Sequence, residues 1–232
     1  MMRFLIFGAL LPPLILMYQI YRYDKVEKEP VGLVFKTFLF GAISVIPVLI
    51  LELILAYVID LFVNPMSLIG LFVDNFIGVA LVEEFFKMQA CKLSVWKNPE
   101  FNYTFDGIVY AVASAIGFAA LENISYVISY GNLSTVIMRA LTAIPAHTIF
   151  GIFMGMHMGM AKYQIYRNNT MAAKRELKMA LLIPTLLHGS YDFICSLDNV
   201  GMGILFFLFI VILDVIAIGK VKKIEKEDQE IF

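Results

Sequence analysis

Seven long apolar stretches, separated by short polar connections, limit this chain more than any other feature. They lie at about residues 2–21, 32–63, 67–93, 105–130, 135–163, 179–197 and 200–219. At about 1.5 Å of rise per residue, a helix of roughly twenty apolar residues spans the hydrocarbon core of a bilayer. Inside that core every backbone amide and carbonyl must find a partner within the protein, which leaves helices or a closed barrel. Continuous apolar runs of this length, without strict alternation, select helices. The expected fold is all-α: one integral membrane domain over 1–232, a polytopic bundle of about seven spans, with a motif-bearing core at about 67–197 and a charged tail at 220–232. Composition agrees, since 60% of the residues are hydrophobic and only 16% are charged. A soluble globular domain is excluded. The net charge of −1 identifies no partner, because the charges are confined to short clusters.

Several punctuation marks set the connections. Pro12-Pro13 marks a kink or break in the first segment, and Tyr18, Tyr21 and Tyr23 mark an interface. The second segment is too long for one upright helix, so it must tilt, kink near Pro47 or run past the bilayer. Asn64-Pro65, Gly131-Asn132 and Asp198-Asn199 are turns, 94–104 is a short polar connection, and 164–178 reads as the longest polar loop. Arginines and lysines fall at Arg22, Lys25 and Lys28, at Lys92 and Lys97, between Lys162 and Lys178, and in the tail from Lys220 onward. The alternate connections hold almost none. By the positive-inside rule the N-terminus lies outside and the C-terminus in the cytoplasm. No cleavable signal peptide is expected, because the first segment lacks a small-residue cleavage site. Cys91 and Cys195 lie far apart and suggest neither a disulfide framework nor a thiolate metal site.

Charge inside a membrane span is costly and survives when paired or functional. The third segment carries Glu83, Glu84 and Lys87 in Leu-Val-Glu-Glu-Phe-Phe-Lys. On a helix Lys87 lies four residues from Glu83 and three from Glu84, within reach of either, so one carboxylate can be neutralised and the other left free. Alone, this triad fits an ion pair that fastens helices together. The other intramembrane polar groups shift the balance. Glu122 and Asn123 lie in the fourth segment, His147 in the fifth, and His188 and Asp192 in the sixth. His188 and Asp192 share a helical face, an arrangement in which a carboxylate orients an imidazole. Counted by helix rise, Glu84, Glu122, His147 and His188 reach one chamber in the middle or outer half of the bilayer. Carboxylates and imidazoles are the ligands and bases of a zinc-type hydrolytic site. They also make a proton relay, so a proton-coupled transporter or channel is the rival reading; the chain shows no internal repeat of the kind many transporters carry. Glu52 and Asp214 stand alone in their segments, as packing or lipid-interface groups, and His157 lies off the His147 face. Gly151, Gly155 and Gly159 form a small-residue ridge for close helix packing.

The ordered motifs Glu83-Glu84-x-x-Lys87, Asp106-Gly107-Ile-Val-Tyr110, Gly117-Phe118-x-x-x-Glu122-Asn123, His147 and His188-Gly-x-x-Asp192 resemble the PrsW family over about residues 79–193. Those are bacterial membrane proteases, distantly similar to CAAX-type prenyl proteases and bacteriocin-processing membrane proteins. The prenyl protease relatives end their second motif in histidine where this chain has Glu122, so their ligand assignment does not transfer directly. The resemblance implies an intramembrane endopeptidase of the bacterial plasma membrane. Its substrate would be a single-pass membrane anti-sigma factor, cut first in a cascade that activates an extracytoplasmic-function sigma factor in a stress response; no nucleic acid is implied. Joined to the residues, it implies Glu83 or Glu84 as general base, with Lys87 holding the other glutamate. Asn123 would donate to the oxyanion. Glu122, His147 and His188 would bind a divalent metal, Zn2+ first, with Asp192 orienting His188; a metal-free mechanism in which the same groups hold the water stays open.

Overall fold

A computed structural model describes residues 2–197 and 200–232. The described residues form helices α1 (Met2–Tyr23), α2 (Val31–Asp60), α3 (Leu68–Val73), α4 (Leu81–Val95), α5 (Asp106–Tyr130), α6 (Leu133–Leu141), α7 (Ala143–Tyr166), α8 (Thr170–Cys195) and α9 (Val200–Lys226). A π-helical stretch, Asp74–Ala80, joins α3 to α4 without a break. Among the described residues five segments are long and apolar enough to cross a membrane: α1, α2, α5, α6 with α7, and α9. The remaining two expected spans correspond to α3–α4 and α8. They differ from the five in that α3 and α4 are short, 6 and 15 residues, with α4 carrying Glu83, Glu84, Lys87 and Lys92, and in that α8 carries Lys174, Arg175, Glu176 and Lys178.

Helix α5 is the axis of the bundle. In its most apolar window 83% of residues are buried, against 17% in α2 and in α9. A helix that is apolar all round must be enclosed by protein or by lipid. Here α5 is enclosed by protein, and α1, α2 and α9 turn side chains such as Phe4, Phe7, Leu53, Tyr57 and Phe207 outward. Small residues let neighbours approach α5 backbone to backbone. A Cβ built on Gly155 would overlap the Gly107 carbonyl of α5, and one on Gly159 would overlap the Thr104 carbonyl, so the expected glycine ridge lies at the α5–α7 contact. Gly41 and Gly117 do the same between α2 and α5.

Three expectations about the connections change. First, residues 164–178 are almost entirely helical: α7 runs to Tyr166 and α8 starts at Thr170, capped by Asn169, whose side chain accepts from the Ala172 amide. The charges there lie on the ends of two helices, not on a loop. Second, the fifth segment is two helices, broken at Thr142 (φ −124°, ψ −67°). Third, the break allowed at Pro12-Pro13 does not occur: both prolines, like Pro47, lie inside helices that continue through them. The turn at Gly131-Asn132 is as expected: Gly131 takes φ +63°, which costs a glycine nothing, and Asn132 caps α6 by accepting from the Thr135 amide. The expected Asp198-Asn199 turn lies outside the described residues.

Candidate active site

The carboxylates and histidines of four separate segments meet at one place. From α4, Lys87 is fully buried and its Nζ donates to Glu83 Oε2 at 2.8 Å, to Glu84 Oε1 at 2.8 Å and to His147 Nδ1 of α7 at 3.0 Å. Three donors, three acceptors: the ammonium is saturated. The expectation that Lys87 holds one glutamate and frees the other is therefore revised, because it holds both. What distinguishes them is position, since Glu83 faces the cavity described below whereas Glu84 is sealed.

Because the ammonium can only donate, His147 must accept at Nδ1 and carry its proton at Nε2. That Nε2–H points at Glu122 Oε2 of α5, 3.0 Å away. Arg139 of α6 reaches the same oxygen, with Nη2 2.9 Å from Glu122 Oε2. On the other side, His188 of α8 places Nδ1 2.9 Å from Glu84 Oε1 and Nε2 3.1 Å from Asp192 Oδ2. The Asp192 contact is the i,i+4 pairing expected from the sequence. The His188 ring stacks on Phe150 with centroids 5.0 Å apart, which fixes its plane.

These groups open on a cavity of about 350 Å³ lined by Glu52, Glu83, Glu122, Arg139, His147, His188 and Asp192, with Val45, Val48, Phe118 and Tyr191 among its apolar walls. Two lining groups escape the sequence reading. Glu52 of α2 stands on the wall with Oε1 buried and without a hydrogen-bond partner. Its only signal was a carboxylate alone in a 30-residue apolar helix. Arg139 of α6 is the other, brought to the cavity across the break at Thr142, which leaves no obvious mark in the sequence. Asn75, in the π-stretch, also reaches the cavity, and its Nδ2 donates to Leu71 O and to Ser196 Oγ, tying this stretch to the end of α8. A π-turn holds one residue more than an α-turn and so rotates everything after it. Placed directly before Leu81, it sets the direction in which Glu83 and Glu84 leave the helix.

Not every expected site residue sits at the cavity. Asn123 is buried, with Nδ2 donating to Ala9 O at 3.3 Å and Oδ1 accepting from Arg139 Nε at 2.5 Å. It positions Arg139 and does not line the cavity. His157 pairs with Glu176 at 2.7 Å and ties α7 to α8.

Metal-ligand convergence is also specific. Ligand atoms of Glu83, Glu84 and His188 lie within 4.8 Å of one another, all buried, whereas Glu122 and His147 are joined to that trio through Lys87 and do not belong to it. Two carboxylate oxygens and an imidazole nitrogen suit a catalytic zinc. Glu84 Oε2 is sealed with no partner, an orphaned acceptor that a cation would satisfy. Charge points the same way: among the described residues five carboxyls, Glu52, Glu83, Glu84, Glu122 and Asp192, gather around Lys87, Arg139 and His188, both of whose nitrogens face carboxylates. Even with His188 protonated, the deficit is one a dication or further protons must cover.

A model of the PrsW family of intramembrane metalloproteases matches residues 29–217. Protease PrsW of Oceanobacillus iheyensis is 34% identical across 93% of this chain and 94% of its own length. The proteins of that name from Clostridioides difficile and Bacillus subtilis are 35% and 32% identical, across 97% and 83% of this chain and 92% and 83% of their own. No solved structure matches the chain. The matched stretch runs through every helix that supplies a side chain to the cavity, and on that extent of similarity the chain belongs to the PrsW family of intramembrane metalloproteases, multi-pass proteins of the bacterial membrane.

Proposed function

We propose that the buried cavity hydrolyses a peptide bond of a single-pass membrane anti-sigma factor, as the first cut in activation of an extracytoplasmic-function sigma factor. The observation that carries this reading is the Glu83–Glu84–Lys87 network, tied to His147 and His188 and open to a chamber inside an apolar bundle. The substrate class rests on family resemblance. All seven apolar segments cross the bilayer, α3–α4 and α8 included, with the N-terminus outside. The polar faces of these two helices then point at each other and the cavity rather than at lipid.

Glu83 takes the proton of the attacking water, being the member of the pair that faces the chamber. Lys87 holds both glutamates and, through Nδ1, sets the tautomer of His147. Asp192 orients His188. Arg139, held by Asn123 and Glu122, is the cation on the wall that meets negative charge as the scissile carbonyl becomes tetrahedral, in place of the Asn123 role expected from sequence. Glu83, Glu84 and His188 are the residues that would hold a divalent metal, which would itself acidify the water and polarise the carbonyl, so that Glu83 would then serve as a ligand and not as the base. A metal-free reading has its own support: Lys87 already satisfies both glutamates, and both His188 nitrogens already face carboxylates.

Cleavage of a purified anti-sigma factor, measured beside metal content, tests both. Glu83→Gln is expected to slow cleavage by about 10²–10⁴-fold, the usual worth of a general base. Wild-type rates in that variant would end the assignment. Stoichiometric zinc lost in His188→Ala but kept in His147→Ala places the metal on Glu83, Glu84 and His188. Loss in both variants returns it to Glu122, His147 and His188. Cleavage without metal and insensitive to chelator establishes glutamate-activated water.

A further inference from the structure

Far from the cavity, at the end of the bundle where residues 24–30, the start of α5 and the residues after α9 meet, three carboxylates are packed together. Asp24, Glu29 and Asp106 are each 1–2% exposed, and a ligand oxygen of each lies within 4.8 Å of the other two. Asp106 begins the Asp106-Gly107-Ile-Val-Tyr110 motif, to which the hydrolytic site gives no role. It lies sixteen residues before Glu122, about 24 Å along the helix axis.

Among the described residues no ammonium or guanidinium pairs with this trio. Lys28 Nζ, the nearest in sequence, donates to the main-chain carbonyls of Tyr21, Arg22 and Asp24. Lys162 Nζ is likewise spent on the carbonyls of Phe101 and Asn98. Part of the acceptor capacity is met: Asp106 Oδ2 accepts from the amides of Asn102 and Tyr103, and Glu29 Oε2 accepts from the Tyr110 hydroxyl. Asp106 Oδ1 and Asp24 Oδ2 are closed off from solvent and, with all three carboxyls ionised, have no hydrogen-bond donor; a proton on Glu29 shared with Asp106 is the alternative to a cation. Orphaned oxygens on two members of one buried cluster call for a ligand that accepts electron pairs, since a buried carboxylate left unpaired is strongly destabilising. In the same sense, burial beside Asp106 pushes the Glu29 carboxyl up to about 10, and burial pushes Asp24 up to about 6.

We propose that Asp24, Glu29 and Asp106 form a binding site for a hard divalent cation, Ca2+ or Mg2+, that clamps the first connection of the chain to the start of α5. An all-oxygen donor set with no imidazole or thiolate is what hard cations select, and it discriminates against zinc. The residues after α9 already strap the same corner. Ile231 N donates to Asn102 O at 2.6 Å, Thr104 N donates to Gln229 O at 3.0 Å, and Asp228 Oδ1 accepts from Thr104 Oγ1 and the Phe105 amide. A cation there joins the first connection to the start of α5, beside a corner that the residues after α9 already hold. The proposal does not depend on the protease mechanism.

The test uses the full-length protein in detergent, stripped with EDTA, with radioactive Ca2+ measured by equilibrium dialysis and Mg2+ as competitor. Wild type and His188→Ala are expected to bind one equivalent. Asp24→Asn and Glu29→Gln are expected to bind at least about tenfold more weakly, the loss that even an outer partner of a metal ligand causes. Asp24→Asn is the cleaner variant, because Asp24 Oδ2 makes no hydrogen bond to lose. Its thermal unfolding in EDTA should match wild type, and added Ca2+ or Mg2+ should raise the midpoint of wild type alone. Absence of both saturable Ca2+ binding and Mg2+ stabilisation in wild type overturns the proposal and leaves carboxyls that share protons. Unchanged binding in both Asp24→Asn and Glu29→Gln overturns it too. So does binding lost in His188→Ala but kept in Asp24→Asn, which puts the ion at the other cluster.

Discussion

Lys87 shows how a single residue can organise a site without reacting. Its ammonium lies between two carboxylates and an imidazole, over the ring of Phe118 at 4.4 Å, with no exposure at all. Removing one member of a buried charged network leaves the others uncompensated, at about 3–5 kcal/mol. Lys87→Met should therefore lower thermal stability by that order and abolish cleavage, whereas Glu83→Gln should slow cleavage by about 10²–10⁴-fold, as given above, with a much smaller stability loss. Melting curves beside activity separate the two; equal destabilisation would make Glu83 a structural residue. Glu52 offers a second check at this scale. It lines the cavity but bonds to none of the network, so Glu52→Gln should leave folding unchanged and alter cleavage only if substrate or water contacts that wall. Cleavage kinetics with the same anti-sigma factor decide it.

At the level of helices, the glycines of α5 and α7 set how closely the walls of the site approach. Gly155→Leu would drive a side chain into the Gly107 carbonyl and push α7, with His147, away from α5, with Glu122. Overpacking of this kind costs about 1–3 kcal/mol or more. Gly203→Ala in α9, where an added Cβ meets nothing within 4 Å, should be neutral or slightly stabilising. Unfolding midpoints of the two variants measure the contrast. The α8 start gives a milder case: Asn169→Ala removes the cap on the Ala172 amide and should cost about 1 kcal/mol.

For the whole molecule, the arrangement of basic connections makes a topological prediction. Single cysteines placed near positions 65 and 132 should react with impermeant reagent from outside intact cells. Those near 98 and 168, and in the tail, should react only after permeabilisation. Same-side labelling at 98 and 132 would mean that α5 does not cross, and would end the seven-span reading.

The helical, membrane-embedded class followed from the sequence alone, because the cost of unpaired backbone in hydrocarbon leaves so few alternatives. The set of intramembrane polar residues was equally legible, because charge in an apolar run is conspicuous wherever it falls. The His188–Asp192 pairing needed only helical periodicity. Which of these residues meet was a different matter. Glu84 reaches His188 across 104 positions, and Lys87 reaches His147 across 60. Such contacts depend on helix rotation, on the π-stretch before Glu83 and on the break at Thr142, and periodicity counted along an ideal helix averages these away. Tertiary structure therefore decided that Lys87 holds both glutamates, that Asn123 serves Arg139, and that Glu52 belongs to the cavity. It also gathered Asp24, Glu29 and Asp106, which no local pattern joins, because only packing fixes how charges distant in the chain share one dry space.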